Sequence, residues 1–89
     1  MENRDEIRIT AEADARFEAA VLGQLLALHP IQLTLEELLL AVAVDPEDFD
    51  QRDAVERAVR ELHVVGLLRR SGEVILPSRA ALRFDELLG

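Results

Sequence analysis

Apolar positions recur at helical spacing through most of the chain and alternate over only two short stretches. Phe17, Ala20, Val21, Gln24 or Leu25, and Leu28 follow the i, i+3, i+4 rhythm of one buried stripe. They predict a first helix starting after Thr10 as N-cap, with Glu12 and Asp14 near its positive end. Gly23 inside that helix costs about 1 kcal/mol relative to alanine, so a close neighbour is expected there. His29-Pro30 stops the helix, because the residue before proline is pushed out of the α region. Ile31-Gln32-Leu33 alternates and reads as a very short strand. Thr34-x-x-Glu37 is a capping box ahead of Leu38-Leu39-Leu40-Ala41-Val42. It predicts a short second helix, apolar nearly all round and therefore buried, ended by Asp45-Pro46.

A third helix is expected over 51–65, with Asp50 as N-cap and Val55, Ala58, Val59 and Leu62 as its core stripe. Phe49 falls about 120° off that stripe at about 100° per residue, which places it in the preceding turn, plugging the core from outside the helix. Gly66 stands where a helix C′ glycine belongs. Residues 67–70 and 73–76 read as two strands around Ser71-Gly72, a hairpin ended by Pro77. Ser78 caps a last helix that carries Ala80, Phe84, Leu87 and Leu88 on one face. Residues 1–9 are mostly charged, with Ile7 and Ile9 alternating about Arg8, and read as a flexible tail rather than an added strand. Residues 10–89 then form a single domain.

Composition narrows the function classes. At 89 residues the chain supports one modest core and no deep cleft. A hydrophobic fraction of 49% argues against disorder despite a net charge of −8. No run approaches the roughly 18 apolar residues of a membrane span. Glu2, Arg4, Asp5 and Glu6 do not make a signal peptide's basic start. The expectation is a cytoplasmic protein without a membrane partner. The absence of cysteine excludes disulfides and thiolate chemistry. All ten basic residues are arginine, a coding bias to which no function is assigned. Residues 1–50 hold three arginines against twelve acids, a balance of −9, and residues 51–89 hold seven against six, a balance of +1.

The element order is helix, short strand, helix, helix, two-stranded hairpin, helix. The stretch Val55-Glu56-Arg57-Ala58-Val59-Arg60-Glu61-Leu62-His63-Val64-Val65-Gly66-Leu67-Leu68-Arg69-Arg70 resembles the recognition helix, Gly-Leu step and basic wing strand of winged helix-turn-helix domains. Leu76-Pro77-Ser78-Arg79-Ala80-Ala81-Leu82 is similar to the way bacterial transcription regulators of that family leave the wing and enter a last helix. The resemblance covers about Thr10 to Leu88. It implies an α+β fold: a three-helix core, a two-stranded wing hairpin, a short extra strand and a C-terminal helix. It further implies that helix 51–65 enters the DNA major groove and that wing 67–76 meets the backbone or minor groove. Carried over, Gln51, Arg52, Arg57 and Arg60 are the candidate groove residues, and Arg69 and Arg70 the wing's phosphate contacts.

The charge of this face weakens the nucleic-acid reading. By helical spacing, Asp53, Arg57 and Arg60 project away from Val55, flanked by Glu56 and Glu61, and Arg52 lies nearer the core edge. Asp53–Arg57, Glu56–Arg60 and Arg57–Glu61 are spaced to pair on the helix surface. Carboxylates facing a duplex oppose the counterion release that drives phosphate binding. Val64 and Val65, with Phe84, Leu87 and Leu88, form the alternative candidate site, an apolar partner interface. The last helix could instead cover Val64 and Val65.

No constellation for catalysis, metal or cofactor emerges. His29 and His63 end helices, and Ser71 and Ser78 lie in a turn and a cap. In Asp45–Asp50, position 6 of a calcium loop is Asp50 where glycine is required. Two readings stand: a small non-enzymatic DNA-binding transcription regulator, or an acidic winged-helix module for protein–protein interaction. A homodimer is expected under either.

Overall fold

The computed structural model describes the backbone of residues 4–89 and the side chains of residues 11–89. Its elements are α1 (Arg4–Leu28), β1 (Leu33–Thr34), α2 (Leu35–Val42), α3 (Phe49–Val64), β2 (Leu68–Ser71), β3 (Val74–Pro77) and α4 (Arg79–Leu88). The architecture is α+β, with four helices and a three-stranded antiparallel sheet of order β1-β3-β2. The central strand β3 pairs Ile75 with Leu33 on one side and with Arg70 on the other. One apolar cluster joins every element but α4. Val21 and Leu25 of α1 meet Val55, Ala58, Val59 and Leu62 of α3, with Leu38 and Leu39 of α2 and Leu33, Leu68 and Ile75 of the sheet.

α1 is longer than its apolar stripe. It starts at Arg4, so Thr10 lies inside the helix and is no cap. No glycine or proline stands between Arg4 and Gly23 to stop the helix from extending through the charged segment. Of the tail expected over 1–9, residues 4–9 are therefore helical, and residues 1–3 lie outside the described residues. Phe17 and Leu28 pack partly against the core as their spacing predicts, whereas Ala20 is exposed. Gly23 has no close neighbour: a Cβ built there would meet nothing within 4 Å. The helix ends at Leu28, ahead of a cis His29–Pro30 bond.

The short strand starts two residues later than the alternation suggests and ends one later, at Leu33–Thr34, because Leu33 is the residue that pairs with Ile75. The capping box is present. The Glu37 amide donates to Thr34 Oγ1 at 3.2 Å, and Glu37 Oε1 accepts from the Thr34 amide and hydroxyl, both at 3.0 Å. α2 is not buried all round. Leu38 and Leu39 are fully enclosed, but Leu40, about 100° further round, is 70% exposed.

α3 begins two residues early. Asp48 is its N-cap, accepting from the Asp50 amide at 2.9 Å, in place of Asp50. Phe49 thus becomes a helical residue on the outer face, 82% exposed, and plugs nothing. The C-terminus closes as a Schellman motif: the Leu67 amide donates to Leu62 O at 2.8 Å and the Gly66 amide to His63 O at 3.1 Å. Gly66 sits at φ +86, which a residue with a Cβ adopts only at a cost. The hairpin turn is Gly72-Glu73, one residue later than expected, since Ser71 still pairs with Val74. Positive φ at Gly72 but not at Glu73 is the type II′ pattern, which wants glycine first.

α4 is capped by Ser78, whose Oγ accepts from the Ala81 amide at 3.2 Å. Only Ala81 of this helix is buried. Its stripe of Ala80, Phe84, Leu87 and Leu88 is exposed instead of docked. Its charges also run against its own dipole: Arg79 opens the helix, Asp85 and Glu86 lie in its last turns, and no acid stands in the first turn and no base in the last. That is the reverse of the placement worth about 0.3–1 kcal/mol per charge.

Neighbouring leucines on α2 should separate in urea denaturation. Leu39→Ala is expected to cost about 2–5 kcal/mol, as for a fully enclosed leucine, and Leu40→Ala less than about 0.5 kcal/mol. Gly23→Ala, on an open helical position, should raise stability by about 0.5–1 kcal/mol.

Candidate interaction surface

α3 buries the side carrying Val55, Val59 and Leu62 and turns its opposite side outward, so the outer face carries Phe49, Arg60, His63 and Val64 with Glu56 among them. The arginines expected on a groove-reading face are differently engaged. Arg57 lies on the flank turned toward α1, where its Nη2 meets Asp14 Oδ1 at 3.0 Å and its Nη1 pairs with Asp53 one turn earlier. Arg52 reaches across to α2, with Nη2 at 2.8 Å from Glu36 Oε1, and Nη1 also donates to the Pro46 carbonyl at 3.3 Å. Hydrogen bonding to Asp14 and to Glu36 raises Arg57 and Arg52, respectively, above the usual arginine range. Both stay charged, and both charges are locally matched.

Gln51 is occupied as well. Its Oε1 accepts from the Asp45 amide at 3.0 Å and its Nε2 lies 3.4 Å from Asp48 Oδ2, so it ties the α2–α3 loop to the start of α3. Of the surface pairs that the spacing allows, Asp53–Arg57 forms. Arg60 is exposed and joins no ion pair among the described side chains.

The two hairpin arginines, expected to act together as phosphate contacts, lie apart. Successive strand residues point to opposite faces. Arg70 borders a groove of about 370 Å³ with Thr34, Glu36 and Ile75, against α2. Arg69 borders another, of about 280 Å³, with His29, Gln32, Arg79 and Leu82, against α4. Between α1 and α3 runs a groove of about 540 Å³ lined by Asp14, Glu18, Arg57, Arg60, Glu61 and Val64, where acids outnumber bases.

Carboxylates also mark the starts of α2 and α3 and the tip of the hairpin. Glu36 and Glu37 stand in the first turn of α2, Asp50 and Asp53 near the start of α3, and Glu73 at the hairpin tip. The Thr34 amide and hydroxyl hold the Glu37 carboxyl below its usual pKa. The apolar candidates, by contrast, are uncovered. Val64 is 77% exposed and Val65 57%, so α4 does not close over them, and Phe84, Leu87 and Leu88 face outward. Among the described residues, no group of three or more histidine, aspartate or glutamate side chains is placed to hold a metal ion, and no helix is long and apolar enough to cross a membrane.

Asp14 and Glu36 were the partners that sequence reasoning missed. The signal for Asp14 was present: it continues the stripe of Phe17, Val21 and Leu25 by three residues, so a carboxylate stands where the opposite helix must pass. Glu36 carried no such signal, because its pairing depends on how α2 crosses α3. No family model, curated protein or solved structure matches the chain.

Two measurements follow from these contacts. A double-mutant cycle of Asp14→Ala and Arg57→Ala should return a coupling of about 0.5–1 kcal/mol, as for a part-exposed pair, and lose most of it at about 1 M salt. A lowered carboxyl pKa contributes stability above the ordinary carboxylate range and loses it as pH falls through the lowered value. Glu37→Gln should therefore be less stable than the parent chain at pH 7, with the gap narrowing steadily in acid denaturation below about pH 4.

Proposed function

We propose that the chain is a winged helix-turn-helix module that works by protein contact, without catalysis and without reading DNA. The order α1-β1-α2-α3-β2-β3-α4 and the strand order β1-β3-β2 support the winged-helix reading. One observation carries the functional choice. Arg52 and Arg57, two of the four candidate groove residues, are paired with Glu36, Asp14 and Asp53, and the surface around them is acidic. A cation already matched by a carboxylate releases no phosphate counterion unless that pair is first broken. The exposed apolar side chains supply the contact energy that the charges do not, since burying each one recovers about 1.5–3 kcal/mol.

The second reading, a DNA-binding transcription regulator, draws on Arg60, Arg69 and Arg70, which are exposed and outside the ion pairs of the described residues. Fluorescence titration with random duplex at about 20 mM salt, where a Debye length of roughly 20 Å leaves electrostatics little screened, decides between them. The protein-contact reading expects no saturable binding. Binding with a steep negative salt slope that shrinks in Arg69→Glu/Arg70→Glu would replace it with the regulator.

A further inference from the structure

We propose that α4 is a self-association helix, pairing antiparallel with α4 of a second copy across a two-fold axis near Phe84. The inference deepens the protein-contact reading by naming the partner.

Two observations converge on this helix. Ten residues long, it buries only Ala81, while Phe84, Leu87 and Leu88 are 62%, 67% and 73% exposed and share one stripe with Ala80. Its charges are placed badly for its own dipole, with Arg79 and Arg83 toward the positive end and Asp85 and Glu86 toward the negative end. An antiparallel copy corrects both errors at once, bringing each arginine to the partner's negative end and each acid to the partner's positive end. A parallel copy corrects neither.

Arg83 flanks the stripe, about 100° from Phe84, whereas Glu86 lies about 160° from it on the far side of the helix, and within a single chain the two pair at 3.2 Å, both well exposed.

Charge also tells the second copy where to bind. The chain carries −8, so most surfaces of two copies repel, whereas the four charged residues of α4 sum to zero. Phe49, the other large exposed ring, sits among Asp48, Asp50 and Asp53, where two copies would bring like charges together. A stripe of four residues buries less than the roughly 800 Å² per partner of a standard interface, so the pairing belongs with weak, transient contacts.

The test is sedimentation velocity on the full chain over a concentration series reaching several hundred micromolar. The parent chain should shift from monomer to dimer, and Phe84→Asp/Leu88→Asp should remain monomeric with an unchanged circular dichroism spectrum, because both positions are exposed. The cysteine-free sequence then reads the orientation directly. Under mild oxidation Ala80→Cys and Leu88→Cys should each crosslink poorly alone and readily when mixed, whereas Phe84→Cys should crosslink to itself. A chain monomeric throughout, a dimer that survives the Asp variant, or self-crosslinking of Ala80→Cys alone would each overturn the α4 pair. Those outcomes leave the DNA titration untouched, and a duplex-binding chain that still dimerised through α4 would fail the functional reading only.

Discussion

The packing of α1 on α3 is the constraint from which the rest of the molecule follows. Val21 and Leu25 press against Val55, Val59 and Leu62, and all but Leu62 are wholly removed from water. In a chain this small no second core competes with that contact, so it sets which side of α3 faces inward. The short strand, α2 and the hairpin then close the remaining sides with one or two buried residues each. Once α3 is oriented, the direction of every arginine on it is decided. Arg57 is carried to α1 and meets Asp14; Arg52 is carried to α2 and meets Glu36. Matched charges at the two flanks reinforce the orientation that the apolar contact selects, although part-exposed pairs contribute far less than the buried side chains.

This arrangement separates two roles that arginine can play on a half-buried helix. An arginine pointing straight out offers its charge to whatever approaches. An arginine on a flank is within reach of the neighbouring helix, and a carboxylate there uses that charge internally. The chain places Asp14, Glu36 and Asp53 around the flanking arginines and leaves Phe49 and Val64 at the two ends of the outer face. The result is a surface acidic in its electrostatics and apolar at its most exposed points.

The elements were legible in the sequence wherever a short-range rule determined them. The Thr34–Glu37 box, the Gly66 stop, the α3 stripe and the Ser78 cap each depend on residues within a turn of one another, and each stands where its spacing puts it. Boundaries decided by competing local options moved. Asp48 and Asp50 are both sound caps, and the choice of Asp48 turned Phe49 from a core plug into an exposed residue. Ser71-Gly72 and Gly72-Glu73 both offer a two-residue turn, and the register of Ser71 with Val74 selected the second. Features that depend on how elements cross were not legible at all. Gly23 implied a neighbour that the geometry does not supply, and Leu40 was judged from an apolar run whose outer side the sheet and α3 do not reach.

The helix termini make a comparison within the chain itself. α2 opens on Glu36 and Glu37, and α3 opens on Asp48 and Asp50, each charge agreeing with the dipole beside it. Those two helices are stabilised by the chain they belong to, through caps, core contacts and the ion pairs to their neighbours. α4 departs from that pattern in both respects: its apolar stripe stays mostly exposed among the described residues, and its charges oppose its dipole. Two independent departures on one ten-residue helix have a single physical resolution when its surroundings include something outside the chain. An isolated helix of that length is marginal in water, so packing must supply its stability. The fold contributes Ala81, Ser78 and a partial contact through Leu82, and the uncovered stripe defines what a partner has to provide: an apolar strip flanked by charge of opposite order.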